Sequence, residues 1–253
     1  VEFRTVSVRA GDRLILDRLD LVIPAGSLVA IVGRTGAGKS LLAGLAGRLV
    51  DPDEGAVLLD GVPLPELSRS ELRRMVGYGF ERPVLIGGTL AEAISFGAEI
   101  PEADEVMTAA RAARADAFIR HLPAGYQTPL DEAPMSGGEM QRMGLARAFA
   151  HTGRVLILDD VAASLDTVTE HEISRALTGA MADRTRILVA HRASTAARAD
   201  QVVWLDQGRV RAQAAHGELW ADPDYRGLFE AGRPQTADAP MLAALGSDSA
   251  AAR

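Results

Sequence analysis

Hydrophobic and polar residues alternate along the first 32 positions with the period of two that is typical of β-strands. The alternation is clearest over Val6–Val8 and Leu19–Ile23, and turn-forming residues follow at Ala10–Asp12 and Pro24–Gly26. The alternation over residues 1–32 predicts antiparallel strands, which we assign to a small antiparallel β subdomain. Val57–Gly61 is typical of a further strand that ends in a turn.

The rest of the chain has the pattern of an α/β protein. Four short apolar runs are typical of buried strands: 28–32, 155–158, 186–190 and 201–205. Residues from about 83 to 150 instead follow a helical, alanine-rich pattern, most clearly over 102–121. The pattern therefore predicts three parts: a discontinuous α/β core at 1–83 and 151–230, an inserted α-helical subdomain at 84–150, and a disordered tail at 231–253.

Composition excludes several kinds of partner and site. The 253 residues carry a formal net charge of −7, so no general basic field is available to bind a nucleic acid. Cysteine is absent, which excludes disulfides and cysteine-based metal sites. No apolar run approaches the roughly 20 residues that cross a bilayer. The chain begins at Val1 inside a strand-like alternation, from which we expect a domain cut from a longer polypeptide.

A glycine-rich segment carries the strongest chemical signal. It fits the pattern G-x-x-x-x-G-K-[ST] and lies between the strand-like run at 28–32 and a helix-forming segment. Lys39 is the only lysine in the chain, and every other basic residue is an arginine. Backbone N–H groups of such a loop bind phosphate oxygens, the lysine reaches the β- and γ-phosphates, and the Ser40 hydroxyl ligates Mg²⁺. The predicted nucleoside-triphosphate-binding residues are Gly33, Arg34, Thr35, Gly36, Ala37, Gly38, Lys39, Ser40 and Leu41.

Two carboxylates and a histidine follow predicted core strands. Asp159 and Asp160 end the run at 155–158, and ligands bind at that end of the strands in open parallel sheets. Asp159 is placed to hold Mg²⁺, and Asp160 to polarise an attacking water. His191 follows the run at 186–190, where an imidazole contacts the γ-phosphate and holds the attacking water. A hydrogen-bonded core histidine would give the same pattern.

A second anion-binding motif lies within the helical region. Ser136, Gly137 and Gly138 precede a helix-forming segment, and N–H groups at such a helix start bind anions. Because the chain already has a phosphate loop, we interpret this motif as one that closes over the triphosphate of a partner in a head-to-tail dimer.

Together these motifs resemble the nucleotide-binding domain of an ATP-binding-cassette transporter, over about residues 1–230. By that resemblance Ser136–Glu139 is the signature motif, Ser164–Asp166 lies at the dimer seam and His191 is the switch histidine. Details of the exporter branch recur at Pro83–Ile94, Leu122–Thr128 and Val189–Thr195.

The resemblance implies a P-loop NTPase core of the RecA-like type, with the antiparallel β subdomain and the α-helical insertion. It also implies ATP and Mg²⁺ as ligands and hydrolysis of ATP to ADP and phosphate. The implied partners are a second nucleotide-binding domain and a transmembrane domain on the same polypeptide. The implied location is the cytoplasmic face of the cell membrane, with the domain itself soluble.

Four positions depart from the family pattern. Asp160 replaces a glutamate, and Glu81, near the Mg²⁺ and the γ-phosphate, replaces a glutamine that coordinates the metal. Glu139 replaces the last glutamine of the signature, and Ala10 lies where an aromatic ring stacks on adenine, with Phe3 as a possible substitute. The departures favour a weakened ATP site in this chain and an asymmetric heterodimer with a competent partner.

Two other functions fit parts of the sequence. A soluble cassette ATPase that acts on nucleic acid would have tandem cassettes or a basic face, and the single cassette and the −7 charge disfavour it. A nucleotide-holding scaffold without turnover agrees with the four departures. The presence of Lys39, Ser40, Asp159 and His191 opposes the scaffold.

Overall fold

Two β-sheets form the framework of the protein in its computed structural model, which describes residues 1–97, 103–151, 153–161 and 166–230. Within these residues the strands are β1 (Glu2–Ala10), β2 (Arg13–Val22), β3 (Leu28–Gly33), β4 (Glu54–Leu59), β5 (Val62–Pro63), β6 (Val76–Gly79), β7 (Val155–Leu158), β8 (Thr185–Val189), β9 (Gln201–Asp206) and β10 (Arg209–Ala214). The order β2-β1-β4-β5 forms an antiparallel sheet, which confirms the predicted antiparallel subdomain.

The second sheet has the order β10-β9-β3-β8-β7-β6, and its neighbouring strands are parallel except for β9 and β10. Every residue of β7 and β8 is buried, as expected for strands covered on both faces. The parallel register brings the carboxyl ends of β3, β7 and β8 to one edge of the sheet. Gly33, Asp159 and His191 lie at or just beyond these ends, so the fold gathers the predicted chemistry at one edge.

The helices cover the parallel sheet or lie between β6 and β7 in the chain. They are α1 (Lys39–Ala46), α2 (Arg69–Met75), α3 (Leu90–Ser95), α4 (Ala103–Ala112), α5 (Asp116–His121), α6 (Gly137–Ala150), α7 (Thr167–Thr178), α8 (Ala193–Ala196), α9 (His216–Leu219) and α10 (Pro223–Glu230). None of the helices in the described parts of the chain has the length and hydropathy required to span a bilayer.

The helix predicted over 102–121 is divided into α4 and α5. Arg114 has a φ of 59°, a left-handed conformation that ends a right-handed helix. The turn leaves Ala113 and Ala115 fully buried, and the Arg114 guanidinium is hydrogen-bonded to Glu172 of α7. The chain bends here to pack both alanines, a tertiary effect that the local pattern does not contain.

Two hydrophobic clusters form most of the core. One joins the antiparallel sheet, α1 and one face of the parallel sheet, and the other packs α3, α4 and α6 against the opposite face and α7. The helices between β6 and β7 thus share a core with the parallel sheet, and the boundaries 1–83, 84–150 and 151–230 stay a prediction. The predicted tail at 231–253 and most of the predicted seam at 164–166 lie outside the described residues.

Candidate nucleotide-binding site

The phosphate loop joins β3 to α1 through two glycines that no other residue replaces easily. Gly33 has a φ of 154°, and a Cβ atom there would lie 2.4 Å from the carbonyl oxygen of Leu205. Gly38 is the N-cap of α1 with a φ of 99°, and its Cβ would lie 2.8 Å from Leu16 Cδ2. The spacing of the motif is therefore a packing requirement of this loop.

Lys39 is held inside the loop. It is 7% exposed, and its Nζ donates hydrogen bonds to the carbonyl oxygens of Gly33, at 2.9 Å, and Arg34, at 3.1 Å. Burial lowers the pKa of Lys39, and the nearby carboxylates of Asp160 and Asp159 oppose that shift. The ammonium thus lies fixed between the loop and two acidic side chains.

A cavity of about 400 Å³ opens over this loop. Its lining residues are Arg13, Ile15, Thr35, Gly36, Gly38, Lys39, Ser40, Leu41, Asp160 and His191. The fold therefore brings the loop together with two side chains that lie more than 100 residues further along the chain. Gly33, Arg34 and Ala37 shape the loop without lining the cavity, and Ala37 is buried in the core. Arg13 and Ile15 were not predicted as site residues.

Within the described part of the chain, Asp159 has one carboxylate oxygen that is hydrogen-bonded and one that is not. Its backbone N–H donates to the carbonyl oxygen of Gly79 (2.9 Å), and its Oδ2 accepts a hydrogen bond from the Tyr78 hydroxyl (3.3 Å). Burial and the Asp159 carboxylate raise the pKa of Tyr78, so the phenol stays protonated and donates. The other oxygen of Asp159, Oδ1, is buried and has no hydrogen-bond partner among the described residues.

This unpartnered oxygen fits a divalent cation, because a buried carboxylate oxygen requires a hydrogen-bond donor or a metal. Within the described residues, no group of three or more acidic, histidine or cysteine side chains is placed to hold a metal. Mg²⁺ takes few protein ligands and completes its shell with phosphates and water. Asp159 and Ser40 would hold the ion, with Glu81 as the third predicted ligand.

Asp160 and His191 lie next to one another in the wall of the cavity. His191 Nε2 lies 3.4 Å from Asp160 Oδ2, and Asp160 has a left-handed backbone with a φ of 50°. Burial raises the pKa of Asp160, Glu81 and Asp159 add to the increase, and His191 and Lys39 oppose it. A carboxylate with a raised pKa beside an imidazole can accept and return a proton.

Glu81 lies in the segment between β6 and α3. Its side chain is 52% exposed, with its Oε1 at 3.9 Å from Arg82 Nε. Its backbone carbonyl accepts a hydrogen bond of 3.3 Å from Nε2 of the buried Gln141 in α6. The anchor is therefore on the backbone, and the carboxylate remains free to turn towards or away from the metal position.

A hydrogen-bond network around the buried Glu170 positions the loop that carries His191. Glu170 of α7 is 8% exposed, and its carboxylate accepts hydrogen bonds from the Arg192 guanidinium and from Thr195 Oγ1 (2.6 Å). Arg192 directly follows His191 in the chain. Glu170 thus ties the His191 loop to α7, a contact that no local motif indicates.

The signature region forms the start of α6. The Ser136 side chain accepts a hydrogen bond from the Glu139 N–H (3.3 Å), and Glu139 Oε2 accepts from Ser136 N and Oγ, at 2.8 and 2.7 Å. These hydrogen bonds lower the pKa of Glu139, so its carboxylate stays charged. Gly137 has open space beside it. The helix start is therefore exposed, with a fixed negative charge one residue beyond Gly138.

The adenine-stacking role suggested for Phe3 is wrong. Phe3 is 1% exposed and packs inside the core cluster beneath the antiparallel sheet, so its ring has no free face. Its place in the strand alternation turns it inward, whereas Ala10 is exposed. Arg13 and Ile15 occupy the wall of the cavity instead.

Several known proteins are similar to this chain in sequence. A model of the ABC transporter family matches residues 16–163. The ABC transporter ATP-binding protein RamA of Streptomyces coelicolor is 57% identical over 233 residues, which cover 91% of this chain and 37% of that protein. The ATP-dependent lipid A-core flippase of Alcanivorax borkumensis is 41% identical over 209 residues, or 81% of this chain and 36% of the flippase. The chain thus spans less than half the length of these relatives.

A solved structure has the same fold. A bacterial Atm1-family ABC exporter with ATP bound matches with a TM-score of 0.84 and 37% identity, over 91% of this chain and 41% of that chain. The parallel sheet and its glycine loop define a P-loop NTPase. The chain belongs to the ABC transporter family and is an ATPase domain of that family.

Proposed function

We propose that this chain powers an exporter by binding ATP, pairing with a second nucleotide-binding domain and hydrolysing ATP at the cytoplasmic face of the cell membrane. The observation that carries the proposal is the cavity in which the buried Lys39 lies close to the carboxylates of Asp159 and Asp160. The exporter and flippase relatives support the coupling to transport. They also disfavour the soluble nucleic-acid ATPase.

In the proposed reaction, water attacks the γ-phosphorus of ATP and gives ADP and phosphate. Lys39 and the loop N–H groups hold the phosphates. Ser40 and Asp159 would hold Mg²⁺, which would neutralise the phosphate charge. Asp160 accepts the proton of the water, and His191 contacts the γ-phosphate and orients that water. The 3.4 Å distance between His191 and Asp160 supports a shared role.

Asp160 and Glu81 weaken the chain's own site in our proposal, whereas Glu139 acts on the partner's site. Asp160 is shorter by one methylene, about 1.5 Å, than the glutamate expected by resemblance, so it reaches less far towards the water. Glu81 adds a negative charge near Asp160 and raises its pKa, which favours the protonated carboxyl. Glu139 places a charge beside the nest that receives the partner's phosphate.

We propose an asymmetric heterodimer. Ser136, Gly137, Gly138 and Glu139 of this chain complete the partner's site, and the exposed start of α6 supports that role. Lys39 and His191 serve the chain's own site. A partner with a glutamate at the position of Asp160 would form the faster site.

A groove of about 390 Å³ is the proposed contact for the transmembrane domain. Its walls include Leu49, Phe80 and Phe96, which are 41%, 38% and 50% exposed. Large exposed apolar side chains of this kind mark interaction surfaces. Arg73 and Arg147 also line the groove and donate to backbone carbonyls, so a docking segment that carries a carboxylate would suit it.

Calorimetric titration of the purified chain with ATP tests the proposal. We expect weak, saturable binding that needs Mg²⁺ and is lost with EDTA, together with very slow phosphate release. The chain should stay monomeric in sedimentation, because the membrane part and the partner are missing. Failure to bind ATP at any Mg²⁺ concentration would contradict the proposal.

Lengthening Asp160 should increase turnover. Asp160→Glu extends the carboxylate towards the water, and Glu81→Gln removes a neighbouring negative charge. We expect the double variant to release phosphate about tenfold faster, which corresponds to about 1.4 kcal/mol in the barrier. Rapid hydrolysis by the unchanged chain, insensitive to both substitutions, would show that these positions do not limit the site.

Glu170 should act as a positioning residue. Glu170→Ala leaves Arg192 and Thr195 without their partner, so the His191 loop loses its anchor. We expect kcat for basal phosphate release to fall as far as it does in His191→Ala, with KM unchanged, and Glu170→Gln to restore part of it. Glu172→Ala is the matched control, because Glu172 lies on the same helix and its ion-pair partner, Arg114, is far from the His191 loop in the chain. Equal losses of kcat in Glu170→Ala and Glu172→Ala would assign Glu170 a merely structural role.

A further inference from the structure

The cavity over the phosphate loop has two chemically different ends. What we infer from them rests on the proposed function. Gly36, Gly38, Lys39 and Ser40 form the end that takes phosphates. Arg13 and Ile15 form the wall contributed by the antiparallel sheet. A nucleotide whose triphosphate lies on the loop would extend towards this wall, because both belong to the same cavity.

Strand geometry turns Arg13 and Ile15 the same way. They are two residues apart in β2, so their side chains share one face of the sheet. Ile15 Cγ2 lies 3.7 Å from the position of a Cβ on Gly38, which places Ile15 directly beside the phosphate loop. Arg13 is then the next side chain along this face, further from the phosphates.

The small side chain of Ala10 leaves room for the side chain of Arg13, its partner across the hairpin. The two residues face one another at the end of the β1–β2 hairpin, so they lie on the same side of the sheet. A large side chain at Ala10 would compete with Arg13 for this wall. Arg13 is exposed, and its side chain has no ion pair or hydrogen bond within the described residues. Its planar guanidinium is therefore available to a ligand.

We propose that Arg13 stacks its guanidinium on the face of the nucleotide base while Ile15 packs against the base and ribose. A guanidinium plane binds any purine through its π-face, as it does in nucleic-acid recognition. Ile15 carries no polar side-chain atom, so this wall does not read the hydrogen-bonding edge of the base. The N–H groups of a stacked guanidinium lie in its own plane and point past that edge as well, so we expect this wall to bind adenine and guanine nucleotides with similar affinity.

Calorimetry with three ligands separates base stacking from phosphate binding. Mg²⁺-ATP, Mg²⁺-GTP and Mg²⁺-tripolyphosphate are titrated into the unchanged chain, Arg13→Ala and Arg13→Tyr. Arg9→Ala is the matched control, because Arg9 is an exposed arginine of the same hairpin that does not line the cavity. Thermal unfolding of each variant verifies that the fold is intact.

We expect the unchanged chain to bind ATP and GTP within about threefold of one another. Arg13→Ala should weaken both by about tenfold, the loss of one stacking partner, and leave tripolyphosphate binding unchanged. Arg13→Tyr should restore nucleotide affinity, since a phenol ring stacks equally well. Arg9→Ala should have no effect on any ligand.

Three other results would overturn the inference. An equal loss for tripolyphosphate in Arg13→Ala would make Arg13 a phosphate ligand. Unchanged nucleotide affinity in Arg13→Ala would place the base elsewhere, while the proposed ATPase function would stand. If the unchanged chain binds none of the three ligands, the proposed function is rejected together with this inference.

Discussion

Replacing Lys39 by alanine is expected to weaken Mg²⁺-ATP binding by at least about 100-fold, which is beyond detection for a site that is already weak. Lys39 is the one lysine of the chain, and its Nζ donates hydrogen bonds to two carbonyl oxygens of the phosphate loop. Its removal therefore leaves the loop without its ammonium group. Removing a charge-assisted partner of a phosphate at a desolvated position costs on the order of 2–5 kcal/mol. Calorimetry on the purified variant measures this loss.

Arg154→Ala is the control for the Lys39 variant. Arg154 precedes β7 at the opposite end of the strand and pairs with Asp60 at 2.8 Å, so its removal changes the net charge equally without reaching the cavity. Its affinity for ATP should equal that of the unchanged chain. Full affinity in Lys39→Ala would contradict the assignment of the phosphate loop.

Gly138→Asp is expected to reduce turnover of the assembled transporter by at least about 100-fold, far more than His191→Ala. The new carboxylate would lie next to Glu139 at the start of α6, where the partner's γ-phosphate docks in our proposal. Repulsion and the lost close approach of the backbone act on the faster site. His191→Ala affects the slower site alone and should leave a substantial fraction of turnover.

Gly217→Asp is the matched control for Gly138→Asp. Both glycines are the second residue of a helix, and Gly217 of α9 has open space around it. The control should retain the turnover of the unchanged transporter. Equal losses in Gly138→Asp and His191→Ala would indicate a symmetric pair, and the reverse order would place the weak site on the partner.

The sequence predicted the parts of the fold that depend on local chemistry. The glycine loop between β3 and α1 follows from a motif whose spacing is required by packing at Gly33 and Gly38. Apolar runs predicted β7, β8 and β9 because buried parallel strands are hydrophobic on both faces.

What the sequence missed depends on tertiary contacts. β6 is four residues long and contains two glycines, and it becomes a strand by pairing with β7. The break at Arg114 follows from burial of the alanines beside it. In the site, Arg13 and Ile15 have no motif, and only the packing of the hairpin against the loop places them in the cavity. Phe3 was misassigned, because its place in the strand alternation turns its ring into the core.

The most direct test of the account is a crystal structure of the purified chain with Mg²⁺ and a non-hydrolysable ATP analogue. We expect the triphosphate on the N–H groups of Gly36–Ser40, with Lys39 at the β- and γ-phosphates. We expect Mg²⁺ at Ser40 and at Oδ1 of Asp159, the oxygen that lacks a hydrogen-bond partner among the described residues. A triphosphate bound away from this loop, or a metal that does not contact Asp159, would contradict the account.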